Sequence, residues 1–212
     1  MERKNYLEKY SIWFLVIIYS VGVAGHLYKK TLPLMLALTP FTLLLVAVFI
    51  IFFAVKNNKS VAAWFLISYT LTFFIEVAGV KTKLIFGNYT YGNVLGVQLF
   101  GVPLIIGINW VIVTLGSISV AERFINNKLV VVIIAGAVST LFDFLLEPVA
   151  VKLGYWNWFN NTIPMQNYLA WFLIACVIAS LFLVMKLKVN KSLAEKYLYI
   201  QSGFFIILNY FL

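Results

Sequence analysis

The sequence predicts an all-α integral membrane protein, a bundle of about seven transmembrane helices with an internal parallel repeat, and three observations carry that prediction. The 212 residues are 63% hydrophobic and only 11% charged, with a mean hydropathy of +0.98, far from the composition of a soluble domain. Apolar runs recur at the roughly 17–25 residues that a helix needs to cross about 30 Å of hydrocarbon. The 16 basic residues sit in short segments between those runs rather than in one patch. The net charge of +9 therefore reads as a topology signal and gives no footprint for nucleic acid.

The spans fall, in order, at 11–28, 34–55, 61–80, 101–119, 129–147, 167–186 and 197–212. The last is the least marked, being short and running to the end of the chain. Residues 1–25 share a charged start and small residues at Gly22, Ala24 and Gly25 with signal peptides, but the apolar stretch is too long and Lys29-Lys30 flank it, so it is expected to stay as the first span. The N-terminus (Arg3, Lys4, Lys9) and the second, fourth and sixth loops (Lys56, Lys59, Arg123, Lys128, Lys186, Lys188, Lys191, Lys196) hold eleven basic residues, against five on the other side: Lys29, Lys30, Lys81, Lys83 and Lys152. That bias predicts a cell-membrane protein with a cytoplasmic N-terminus and an external C-terminus. No linker divides the chain, so residues 1–212 read as a single transmembrane helical domain. Cys176 stands alone and reads as a small packing residue, and His26, the lone histidine, reads as an interfacial one. One His and one Cys supply no ligand set for zinc or haem.

Self-similarity organises the middle of the chain. A shift of 71 superposes Ser68 on Ser139, Thr72 on Asp143, Glu76 on Glu147 and Lys81 on Lys152; a shift of 61 superposes Pro103 on Pro164 and Trp110 on Trp171. Between these blocks each copy carries Gly with aromatics: Phe86-Gly-Asn-Tyr-Thr-Tyr in one, Gly154-Tyr-Trp-Asn-Trp in the other. Spans 3 and 4 thus form one copy and spans 5 and 6 the second, in parallel orientation about an axis near the membrane normal.

Glu76, Asp143 and Glu147 lie inside or at the edge of apolar spans, where an ionisable group is costly and points to function. Side chains four apart share a helix face, so Ser139, Asp143 and Glu147 form one polar stripe and Ser68, Thr72 and Glu76 another. Both stripes end beneath loops rich in Tyr89, Tyr91, Tyr155, Trp156 and Trp158, interleaved with Asn88, Asn93, Asn157, Asn160, Asn161 and Gln166. These rings suit an interfacial belt or a pocket for a long apolar molecule, whose cationic intermediate their π-faces would stabilise. Carboxyls sharing a dry site cannot all ionise, which leaves one as a general acid beside a carboxylate able to orient water. Asp143, matched by Thr72 in the other copy, is the first choice for the acid; Glu147 and Glu76 are the candidates for water activation. Pro148 is expected to end or kink span 5 directly after Glu147.

The run from Glu76-Val-Ala-Gly-Val through Phe86-Gly-Asn-Tyr-Thr-Tyr-Gly to Gly101-Val-Pro and Asn109-Trp110 resembles the first signature of the carotenoid biosynthesis membrane protein family. Asp143-xxx-Glu147-Pro-Val-Ala, Gly154-Tyr-Trp-Asn-Trp and Ile163-Pro-Met-Gln-Asn167-Tyr-xx-Trp171 resemble the second. The similarity covers roughly residues 70–175 and includes the carotenoid 1,2-hydratases of that family. It implies hydration of the terminal C1=C2 bond of an acyclic carotenoid, with Asp143 giving the proton, Glu147 or Glu76 handling water, and Tyr89, Tyr91, Trp110, Tyr155, Trp156, Trp158, Asn167 and Trp171 binding substrate. It further implies no metal or cofactor, substrate arriving sideways from the lipid bilayer, and other carotenoid-pathway enzymes as partners. Three other readings stay open: a proton-initiated carotene cyclase, a proton-coupled transporter, and a structural protein of a pigment assembly.

Overall fold

The computed structural model describes residues 2–55 and 59–212; Lys56 lies outside the described residues, as do the side chains of Arg3 and Lys4. Among the described residues seven helices follow one another: α1 (Glu2–Leu27), α2 (Leu32–Val55), α3 (Lys59–Thr82), α4 (Leu104–Phe124), α5 (Lys128–Lys152), α6 (Met165–Val184) and α7 (Ser192–Phe211). The described residues also form four short strands, β1 (Tyr89–Tyr91), β2 (Gln98–Leu99), β3 (Val102–Pro103) and β4 (Trp156–Trp158), with a 3-10 turn at Phe159–Asn161. Helices α1 to α6 are long and apolar enough to cross a membrane. The seventh helix is present, but its first half carries Glu195, Lys196 and Gln201 and it does not meet that standard.

Local chemistry explains most boundaries. Asn127 starts α5 by accepting from the backbone N–H groups of Leu129 and Val130 at 3.0 and 3.3 Å. Pro103 and Pro164 precede α4 and α6 in extended conformation, at helix starts where a missing N–H costs no intrahelical bond. The apolar pattern starts span 4 at 101, but residues 98–103 turn back as the β2–β3 hairpin, so α4 begins at Leu104. Pro148 does not end span 5: α5 runs through it to Lys152. Membrane helices accommodate an internal proline where neighbouring helices support the backbone it frees, and α5 packs against α4, α6 and α7. Pro40 likewise lies within α2.

Helix α4 is the most deeply buried, packing against α3, α5 and α7. Its approach to α7 depends on Gly116, where a Cβ would stand 2.7 Å from the Ala194 carbonyl oxygen. At the end of the bundle opposite the aromatic loops, α7 is fastened by charge. Buried Glu195 accepts from Ser119 Oγ at 2.8 Å and pairs with Arg123 at 3.1 Å, while Lys191 pairs with Glu122. Trp64, fully buried, donates to the Ile178 carbonyl at 3.2 Å and ties α3 to α6. Cys176 lies half-buried on α6 against α5.

Candidate functional site

Both polar stripes point into the bundle: Ser68, Thr72 and Glu76 on α3, and Ser139, Asp143 and Glu147 on α5, are all buried. Buried carboxyls demand donors, and the aromatic loops supply them. Glu76 Oε2 accepts from the hydroxyls of Tyr89 and Tyr91 at 2.5 and 2.8 Å, and its Oε1 accepts from Trp110 Nε1 at 2.7 Å. Glu147 Oε2 accepts from Trp156 Nε1 and Trp158 Nε1 at 2.9 and 2.8 Å. Asn167 Nδ2 reaches Glu147 Oε1 at 3.2 Å and Asp143 Oδ2 at 2.7 Å, so a single amide joins two carboxyls. Asp143 Oδ1 is different: it is buried and has no hydrogen-bond partner among the described residues.

The loops that carry these donors are held by pairing with each other. Strands β1 and β4 run antiparallel with Tyr89 opposite Trp158 and Tyr91 opposite Trp156. The chain beyond β1 continues the contact, Gly92 N–H donating to the Tyr155 carbonyl at 2.8 Å. Any Cβ at residue 92 would collide with the Gly154 carbonyl oxygen, so only glycine fits. Desolvation first, and then the Glu76 charge, push the Tyr89 and Tyr91 hydroxyls well above their ordinary range. Both therefore remain neutral O–H donors. Burial pushes Tyr155 up to about 12, opposed by a hydrogen bond with Thr39 of α2. Below the loops the rings of Trp110 and Trp171 stack with centroids 3.7 Å apart.

All eleven residues expected at the site line one cavity of about 330 Å³: Glu76, Asp143 and Glu147, with Tyr89, Tyr91, Trp110, Tyr155, Trp156, Trp158, Asn167 and Trp171. Sequence reasoning misses the facing wall, which comes from α1, α2 and α7 and includes Tyr19, His26, Met35, Thr39, Gln201 and Phe204. His26, expected at the interface, is buried in this wall with its ring edge-on to Phe204. Its Nδ1 is 2.7 Å from the Gly22 carbonyl, which can only accept. Nδ1 must carry the proton, so Nε2 of the neutral ring is an acceptor, and it has no partner among the described residues. Asn109 Oδ1 and Gln201 Oε1 are also buried, without a partner among the described residues and part of residues that line the cavity, whereas the Tyr19 hydroxyl meets that of Tyr197 on α7. The cavity is thus mostly apolar, with unsatisfied oxygen and nitrogen atoms on both the acid side and the opposite side. Such atoms suit an O–H donor, each costing about 1–3 kcal/mol while it stays unpaired. Among the described residues no His, Cys, Asp or Glu trio is grouped to hold a metal ion.

A family model described as "Carotenoid biosynthesis protein" matches residues 37–211. The bisanhydrobacterioruberin hydratase of Haloarcula japonica is 31% identical over 116 residues, a match covering 51% of this chain and 40% of the relative. The chain thus spans about two fifths of the length of that relative. No solved structure matches it.

Proposed function

From the premise that this chain belongs to the carotenoid biosynthesis protein family, we propose that it is a carotenoid hydratase, adding water to the terminal C1=C2 bond of an acyclic carotenoid end group. The observation that carries the reading is Asp143 Oδ1, the one carboxyl oxygen among the described residues of the cavity wall that is buried without a partner. A proton on that oxygen has no framework bond to break before it moves to C2. The electron pair of the double bond forms the new C–H bond, and a tertiary cation remains at C1. Faces of the cavity aromatics, Trp156 and Trp158 foremost, stabilise that cation, with their N–H edges already fixed on Glu147. Water bonds to C1 through oxygen and gives up one proton. Glu147, joined to Asp143 through Asn167, takes it and returns it to Asp143, so the net change is addition of one water. Glu76, held by three donors, is the alternative base and otherwise sets the field of the site. Adding water across a carbon–carbon double bond is hydro-lyase chemistry, and these steps require no metal or cofactor. The unpartnered acceptors of the facing wall favour water over an internal double bond as the group that captures the cation.

Two further parts of the reading concern architecture. The basic-residue bias supports a cell-membrane protein with a cytoplasmic N-terminus, which makes the aromatic loops and the C-terminus external. A duplication of α3–α4 as α5–α6 is supported by the way matched residues meet. Each glutamate takes two aromatic donors from its own loop, the two loops pair strand to strand, and the matched tryptophans stack.

The test is expression in cells that accumulate lycopene or γ-carotene, followed by chromatography and mass spectrometry of the extracted pigments. A product heavier by one water is expected. An isomer of unchanged mass would mean cyclisation, and unaltered pigment beside well-inserted protein, across several acyclic substrates, would refute the enzyme reading.

A further inference from the structure

We propose that the cavity opens sideways into the lipid between α1 and α2, through a mouth rimmed by Ile17, Val21 and Leu38, and that the polyene tail lies in this mouth while its end group is inside. The proposal rests on the reading that the ligand is a long apolar polyene, and it assigns the path such a molecule takes.

Exposure locates the mouth. Among the described residues that line the cavity, three are exposed at the surface: Ile17 at 58%, Val21 at 59% and Leu38 at 42%. All three are aliphatic and all belong to α1 and α2. The carboxyls at the other side of the cavity are at most 4% exposed. Ile17 and Val21 are four apart and share one face of α1, and Leu38 with Thr42, also a lining residue, shares one face of α2. The two helices are joined by the short turn at residues 28–31, with Gly25 against Met35 beside it, and they meet again at the far end, where the rings of Phe14 and Phe49 lie 5.3 Å apart. Between these two contacts the lining residues of both helices reach the outside.

The aqueous end offers no comparable way in. Tyr89, Trp156 and Trp158 are buried in the paired β1 and β4, and Tyr155 closes onto Thr39 of α2. A cavity of about 330 Å³ is near the lower limit of the roughly 300–1,000 Å³ typical of ligand pockets, and a long polyene is far larger. Conjugation keeps such a chain stiff, so it cannot coil to fit and must project in a straight line. Projection into water would expose apolar surface at about 25 cal/mol per Å², whereas projection between α1 and α2 leaves it in hydrocarbon.

The experiment measures binding apart from chemistry. Full-length protein in nanodiscs is loaded with lycopene, washed, and assayed for retained pigment by absorbance and for product by mass. Val21→Trp and Leu38→Trp narrow the mouth; Val177→Trp, on an exposed position of α6 away from the cavity, is the control. Retention by both rim variants is expected to fall at least about tenfold with unchanged melting temperature, while the control retains wild-type pigment. Wild-type retention in both rim variants overturns the proposal. So does a wild-type protein that retains no lycopene, or a dimer whose cross-links map to Val21 and Leu38. Pigment retained by wild type and lost in the rim variants, with no hydrated product from any of them, upholds the mouth and sinks the hydratase reading instead.

Discussion

Replacing Asp143 by Asn separates the proton from everything else the side chain does. Asp143 has one framework bond, from Asn167 Nδ2 to Oδ2 at 2.7 Å, and the carbonyl oxygen of the introduced amide can accept it unchanged. The new NH₂ then takes the place of Oδ1, which has no partner and meets no donor. Volume and packing are preserved, so stability should change by less than about 1 kcal/mol, or about 2–4 °C in melting temperature for a chain of this size. Rate is another matter. A positioned general acid contributes about 10²–10⁴-fold, equal to about 2.7–5.5 kcal/mol of barrier, and an amide cannot supply that proton. Single-turnover conversion of lycopene in nanodiscs, read as product heavier by one water, should therefore slow by at least about 10²-fold while lycopene retention stays at wild-type level. A variant that keeps its pigment, melts like wild type and hydrates within about threefold of it would refute Asp143 as the proton donor, since such a loss is below the range of general acids.

Glu147→Leu should be destabilising for a stated reason: indole N–H groups can only donate, so Trp156 and Trp158 would both be left unpaired in a buried site. At about 1–3 kcal/mol each this amounts to about 2–6 kcal/mol, measurable as a fall in melting temperature in detergent. At the other end, Arg123→Ala removes the cation from buried Glu195, but Arg123 is 51% exposed and Ser119 still donates. Solvent therefore carries much of that pair, and the expected loss is about 1 kcal/mol, read by the same thermal scan.

The acid side of the site was legible in the sequence because each of its members is an exception in its surroundings. A carboxyl in an apolar run has to be explained, the four-residue spacing fixes its face, and loops dense in Tyr, Trp and Asn next to it supply donors. The facing wall was not legible for a reason particular to membranes. In a soluble helix apolar residues mark the buried face, but in α1 and α2 many residues that line the cavity, Ile17, Ile18, Val21, Leu38 and Leu43 among them, are as apolar as those that face lipid. Ile17 and Leu38 look like any lipid-facing residue until the fold places them on the cavity. Arg123, Lys191 and Lys196 count in the sequence as flanking charges that set orientation, which hides the pairing of Arg123 and Lys191 with Glu195 and Glu122. Strands of three residues carry no usable period, so the β1–β4 pairing that aims the donors could not be read from its residues.

Where the proposed copies differ is more informative than where they agree. Glu76 and Glu147 each receive three donors, so both are committed to holding the loops and the tryptophans in place. A pocket built from those two alone would offer no carboxyl oxygen free of a framework hydrogen bond. Thr72 occupies the matched position in the first copy and turns its hydroxyl back onto its own helix, donating to the Ser68 carbonyl at 2.9 Å. Asp143 in the second copy adds a carboxyl whose outer oxygen is held by nothing. The asymmetry has a direction, because α1, α2 and α7 have no counterpart in the proposed duplicated pairs and supply the wall with the unpartnered acceptors and the proposed mouth. If the duplication holds, it accounts for the rigid frame, and the proposed chemistry resides in the one acidic position that departs from it, Asp143.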